Sequence, residues 1–107
     1  MNGYSYMKCP AYHMFFETIA PEMRVKILFA LKSKAMSVNE LAGFLGEEQS
    51  KISHNLRKLT ECRLIEVKPK GKKRIYSINK DTVLPLIKLV EKHVKCNCCE
   101  GCGRLGE

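Results

Sequence analysis

No stretch of this 107-residue sequence approaches the ~20 apolar residues that a membrane-spanning helix needs. Met1 to Met7 includes Tyr4 and Tyr6 but no basic start followed by an apolar run, so no secretory signal is expected there. Internal repeats, low-complexity segments and domain linkers are lacking as well. There is no Gly-rich phosphate loop, and the three histidines, His13, His54 and His93, are scattered without a recognisable nucleophile–base motif. No thioredoxin-like strand–Cys-x-x-Cys–helix context precedes the paired thiols. An enzyme is therefore the least supported class. Acidic residues are scarce, 11 Asp and Glu against 19 Lys and Arg, and none falls between Gln49 and Thr60.

The resulting net charge of +8 favours a polyanionic partner. Lys51, Arg57, Lys58, Arg63, Lys68, Lys70, Lys72, Lys73 and Arg74 lie close together, opposed there only by Glu61 and Glu66. Such clustering suits phosphate neutralisation better than a merely solvated face. With no export signal, a cytoplasmic setting is expected, where thiols stay reduced. The six cysteines then read as metal or redox groups and not as a disulfide framework. One small domain is expected, and burial is marginal at this size, so a second subunit would help to complete the core.

Apolar spacing predicts a mainly helical chain with one β-hairpin. Tyr12, Phe15, Phe16 and Ile19 suggest a first helix, and Pro21 belongs in the first turn of a second. That second helix is largely buried through Met23, Val25, Ile27, Leu28, Phe29 and Leu31. Ser37-Val-Asn-Glu40 is a capping-box pattern. It opens a short third helix carrying Val38, Leu41, Phe44 and Leu45, which Gly46 ends. A fourth helix, from about Glu48 to Cys62, buries Ile52, Leu56 and Leu59. Leu64 to Lys68 and Arg74 to Ile78 alternate as strands, with Pro69 to Lys73 as the turn. The last helix starts near Thr82, with Pro85 tolerable only in its first turn. Val83, Leu86, Ile87, Val90 and Val94 give it an apolar stripe, while Lys88, Glu91 and Lys92 face out. The stripe either caps the chain's own core or pairs with a second copy, and the small core favours pairing. The expected divisions are a tail at 1–10, a DNA-binding and dimerisation domain at 11–95 and a Cys-rich tail at 96–107.

The third and fourth helices, joined by a glycine-containing turn, form a helix-turn-helix, and the basic hairpin adds a wing. On the fourth helix Gln49, Ser50, Lys51, Ser53, His54, Asn55, Arg57 and Lys58 are polar. Gln and Asn suit adenine, Lys and Arg suit guanine, and Ser suits phosphates or base edges. An ordinary amphipathic helix is the plain alternative, opposed by the lack of acidic residues. His54 alone decides nothing. On the wing, Lys70, Lys72, Lys73 and Arg74 are the candidate phosphate contacts.

Glu40-Leu-Ala-Gly-Phe-Leu-Gly, Gln49-Ser-Lys-Ile-Ser-His-Asn-Leu, Cys62-Arg-Leu-Ile and the wing Gly71-Lys-Lys-Arg-Ile-Tyr-Ser-Ile-Asn79 closely resemble the ArsR/SmtB family of winged helix-turn-helix repressors. The likeness covers about residues 12–95. It implies the order α1-α2-α3-α4-β1-β2-α5 and a homodimer joined through the first and last helices. It also implies a double-stranded DNA operator bound without ligand, and release by an inducer, usually a metal ion or metalloid. The family's Cys-x-Cys sensor positions correspond here to Ser37 and Asn39, which leaves Cys9 without its expected partners. The Asp-x-His and His-x-x-Glu positions read Lys80, Thr82, His93 and Cys96, so half of that site is gone. Cys62 occupies a position that one cadmium/lead-sensing branch uses, although the neighbouring cysteine of that branch is Lys58 here.

What stands instead is Cys96-Asn-Cys98-Cys99-Glu-Gly-Cys102-Gly, four thiols in seven residues. This tail resembles the cysteines just after the last helix in some arsenic- and cadmium-sensing relatives. Thiolates select soft or borderline acceptors, here As(III), Cd(II), Pb(II), Cu(I) or Zn(II). Cys62, Cys9 and His93 are weaker candidates. For Cys62 the plain alternative is a small buried residue at a helix end, and for Cys9 a free surface thiol. A role-free tail and a constitutive structural zinc knot are the alternatives for the cluster. Two other functions stay open. One is a thiol redox or persulfide switch on the same fold, the other a metal-buffering or trafficking protein.

Overall fold

Residues 10–98 are the part of the chain that this computed structural model describes. They form α1 (Pro10–Ile19), α2 (Glu22–Ser33), α3 (Val38–Leu45), α4 (Gln49–Glu61), β1 (Ile65–Lys70), β2 (Lys73–Ile78) and α5 (Val83–His93). One π-helical turn, Val94–Cys98, continues α5. The winged helix-turn-helix order read from the sequence is the observed one.

Local chemistry sets most of the boundaries. Pro21 is the N-cap of α2, one place before its expected position, and its carbonyl accepts from the Arg24 and Val25 N–H groups. At the start of α3 the Ser37 Oγ accepts from the Glu40 N–H at 3.2 Å, and Glu40 Oε1 accepts from the Ser37 N–H at 2.9 Å. These bonds satisfy two N–H groups that the helix itself leaves unpaired. Gly46 ends α3 in the left-handed region, at φ 67°. The end of α4 uses the same geometry without a glycine. Arg63 sits at φ 59°, the Arg63 N–H donates to Thr60, and the Leu64 N–H reaches back to Leu59.

The hairpin is antiparallel in a register that runs from Ile65 opposite Ile78 to Lys70 opposite Lys73. The expected turn from Pro69 to Lys73 is therefore too wide. Pro69 pairs with Arg74 inside the ladder, and only Gly71 and Lys72 make the turn. Gly71 has φ 64°, which fits a hairpin turn with glycine at its first central position. β1 lies at the edge of this sheet, where a missing N–H is tolerated. On its other side β2 meets Met36, with Met36 N–H to Tyr76 O at 2.9 Å and Tyr76 N–H to Met36 O at 2.8 Å. That bridge fastens the wing to the segment just before α3.

The core sits where α2, α3, α4, β1, β2 and α5 meet. Ile27, Leu28, Leu41, Ile52, Leu56 and Leu59 are fully buried, joined by Leu64, Ile65, Ile78, Val83 and Ile87. Phe44, one of the apolar residues that the third helix carries, is 67% exposed. Leu41 and Ala42, with half-buried Val38 and Leu45, take the inward side of α3. Phe44 lies roughly a third of a turn away from that stripe. Glu91 was expected to face out; it is half-buried and pairs with Lys32 of α2 at 2.7 Å. The Lys32 hydrogen bond holds its carboxyl below the ordinary carboxylate range. The stripe on α5 divides. Val83 and Ile87 are buried and Leu86 is half-buried, whereas Val90 and Val94 are exposed, as is Leu89 outside the stripe. On α1, Phe15 and Ile19 pack against the core while Met14 and Phe16 stay bare.

Candidate nucleic-acid interface

The fourth helix of the sequence reading is α4, and its two sides differ as expected. Ile52, Leu56 and Leu59 face the core with no exposed surface. Gln49, Ser50, Lys51, Ser53, His54 and Arg57 are exposed, and Lys58 is half-buried. Asn55 corrects the expectation of a base contact. It is 8% exposed, with its amide committed to Arg24 and to the Lys51 carbonyl. A side chain held inward in this way does not reach a base edge.

The wing residues Lys70, Lys72, Lys73 and Arg74 are all exposed. A cleft of about 770 Å³ opens between α4 and the hairpin. From α4 it takes Ser50, Ser53, His54, Arg57, Thr60 and Glu61; from the hairpin Val67, Arg74 and Tyr76; and from α3 Val38. Two guanidiniums, an imidazole and hydroxyls thus line one groove, with Glu61 as its carboxylate. Guanidiniums form forked bonds to phosphate or guanine, and hydroxyls bond either phosphate or base edges. A smaller cleft beside it, about 210 Å³, joins Ser37, Val38 and Asn39 at the start of α3 to Lys72, Lys73 and Arg74.

Tyr76, Thr60, Val38 and Asn39 were not singled out from the sequence as interface residues. Tyr76 had a signal, since it lies two residues from Arg74 on one strand and so shares its side. Asn39 became visible only when the Met36–Tyr76 bridge placed the wing beside α3. Glu40 also lies at this junction. The Ser37 N–H and hydroxyl hold its carboxyl below the ordinary value, with help from Lys34 and Lys73, while partial desolvation opposes them.

A family model for the bacterial regulatory protein, arsR family, matches residues 21–67, from α2 to the middle of β1. The chain belongs to the arsR family. KmtR, an HTH-type transcriptional regulator of Mycobacterium tuberculosis, is 33% identical over 72 residues, which are 67% of this chain and 55% of KmtR. The arsR-family chain thus spans about half the length of that curated relative. The AntR antimony-specific transcriptional repressor superposes with TM-score 0.69 at 25% identity, covering 78% of this chain and 77% of AntR. The homodimeric winged helix-turn-helix DNA-binding domain Mb0332 of Mycobacterium bovis gives TM-score 0.78, covering 89% of this chain and 88% of its own. At 22% identity, that last likeness speaks for the fold.

Set on this arsR-family fold, the candidate sensor residues divide. Ser37, at one family sensor position, is a buried helix cap, and Asn39 beside it is exposed. Thr82 caps the start of α5 while His93 ends it, so those two family positions lie at opposite ends of one helix. His93 and Cys96 share a cleft of about 410 Å³ with Leu89, Lys92 and Asn97. Cys96 is an exposed free thiol. Cys62 is exposed too, where a buried helix-end residue was the plain alternative, and its Sγ lies 3.5 Å from Thr18 Oγ1. Among the described residues, no group of three or more His, Cys, Asp or Glu side chains converges on a metal position. Cys9, Cys99 and Cys102 lie outside the described residues, as does the side chain of Cys98. No described helix is long and apolar enough to cross a membrane.

Proposed function

We propose that this chain is a DNA-binding transcriptional repressor that works as a homodimer and leaves its operator when cysteine thiolates bind a thiophilic metal ion or metalloid. One observation carries the DNA half: α4 and the wing wall a single groove lined by Arg57, Arg74, His54 and Ser53. Here α4 enters the major groove with Gln49, Ser50, Lys51, Ser53, His54 and Arg57 toward the bases and phosphates. Lys58, Lys70, Lys72, Lys73 and Arg74 neutralise neighbouring phosphates. Subunits pair through the bare apolar residues Met14 and Phe16 of α1 and Leu89, Val90 and Val94 at the end of α5. A two-fold dimer sets the two reading helices about 34–36 Å apart, one turn of DNA.

The signal half rests on donor chemistry. Cys96 and His93 supply a soft and a borderline donor on one cleft, and the sequence continues with Cys98, Cys99 and Cys102. That donor set suits As(III), Cd(II), Pb(II), Cu(I) or Zn(II). AntR, by name an antimony-specific repressor, supports the same class of inducer. A change of only ~1.4 kcal/mol in DNA-binding free energy alters the binding constant tenfold, so a small rearrangement of the dimer suffices for release.

Operator-binding anisotropy in reducing, anaerobic buffer, titrated with each of the five ions, tests both halves. Expected is tight binding that at least one ion reverses, and a quadruple Ser variant at Cys96, Cys98, Cys99 and Cys102 that binds DNA but ignores every ion. Release by an oxidant and by none of the ions would identify the thiol redox or persulfide switch. Ion binding without any DNA binding would identify the metal-buffering alternative.

A further inference from the structure

One polar pair interrupts the apolar side of α4. Asn55 lies next to Leu56 and between Ile52 and Leu59 in the buried row, and only 8% of its surface is exposed. Its Nδ2 donates to the Lys51 carbonyl at 2.9 Å, and its Oδ1 accepts from Arg24 Nε at 3.0 Å. The same guanidinium donates through Nη1 to the Thr18 carbonyl at 3.2 Å. That carbonyl belongs to the last turn of α1, where helical N–H partners run out. One rigid guanidinium thus joins the end of α1 to the middle of α4, with α2 supplying it.

Replacing a buried polar pair by well-packed apolar side chains of similar volume is often neutral for stability. What Arg24 and Asn55 add is direction. A planar guanidinium holds both acceptors with N–H groups at fixed angles, whereas the three donors of an ammonium rotate freely and fix no direction. We infer that Arg24 and Asn55 are positioning residues that fix the rotation of α4 relative to α1, and thereby the register of its outward side chains on DNA. The inference rests on the DNA-reading function proposed above. The magnitude is sufficient. Rotating a helix by ~20° moves a side-chain tip ~5–6 Å from its axis by ~2 Å. Hydrogen-bond distances vary by only about 0.5 Å, so such a rotation breaks a forked base contact. Because α1 also carries Met14 and Phe16, the clamp ties the subunit-pairing helix to the reading helix.

The test compares wild type, R24K and the apolar double variant R24M/N55L, each as the full chain. The probes are a duplex selected from a random pool by the wild type and the same duplex scrambled. Melting temperature and the ratio of the two affinities are read together. R24M/N55L is expected to melt within about 4 °C of wild type. Its selected-to-scrambled ratio should fall about tenfold or more, the size of one lost base contact. R24K, which keeps the charge but not the fork, should lose part of that ratio. A double variant that discriminates as well as wild type overturns the inference. If the double variant does not fold, an unchanged ratio in R24K overturns it equally. A wild type that selects no sequence overturns the DNA-reading function itself, and the clamp with it.

Discussion

The reading cleft and the cysteine end differ in how their side chains are held. Arg57, Ser53 and His54 stand on a helix whose other side is fully buried, and Arg74 stands on a strand fastened on one side to β1 and on the other to Met36. Four elements, α3, α4, β1 and β2, converge on that cleft. His93 and Cys96 come from one helix end, and the apolar residues around them, Leu89, Val90 and Val94, face solvent. The first cleft is therefore lined by several elements of one chain, while the described residues bring only these two donors to the second. The core that builds the fold also builds the proposed DNA surface. In the proposed function sensing is added at the margin, where few packing contacts restrict which residues stand there.

The sharpest way to separate the two regions is to damage the frame of one of them. Leu56→Ala removes a fully buried side chain from the centre of α4 and should cost about 2–5 kcal/mol in urea unfolding. Cys96→Ser, at an exposed position, should change stability by no more than about 0.5 kcal/mol. A large effect at Cys96 would break the comparison. A smaller loss is expected from Ser37→Ala, about 0.5–2 kcal/mol, because the N-cap of α3 disappears. This loss should come with weaker DNA binding, since α3 borders the wing.

Acid should act on the same corner. The folded-state pKa of Glu40 is depressed by its bonds to Ser37. Its contribution is therefore complete above the ordinary carboxylate pKa and is lost as pH falls through the lower folded value. Glu91 acts in the same sense through Lys32. In Glu40→Ala and Glu91→Ala the acid side of the stability–pH curve should be flatter than in wild type, measured by thermal melts across that range. A curve that keeps its full slope in both variants would sink this attribution.

Most of the fold was legible because it is periodic or capped. Ser37 with Glu40, Gly46 and Pro85 each marked a boundary near where the structure has it. The errors have local causes. Pro69 read as a turn residue, but an edge strand tolerates it and Gly71 alone meets the demand for a positive φ. The end of α4 near Cys62 was legible even though no glycine marks it, and Arg63 takes the left-handed position there. The apolar residues of the third helix did not by themselves tell which face inward: Ala42 is buried and Phe44 exposed. At the site, the outward residues of α4 and the wing were readable from alternation and charge. Asn55 was misassigned although its place between Ile52 and Leu59 in the buried row follows from helical spacing; what the sequence does not show is its partner Arg24, 31 residues away. Non-local contacts of that kind leave no pattern in sequence.

The most direct measurement is the salt dependence of binding to the selected duplex, for wild type, Arg57→Ala and Arg74→Ala. The logarithm of the binding constant should fall linearly with the logarithm of salt concentration, and each substitution should make the slope shallower by about 0.9 and weaken binding. If both variants keep the wild-type slope and affinity, the cleft between α4 and the wing is not where this chain holds DNA.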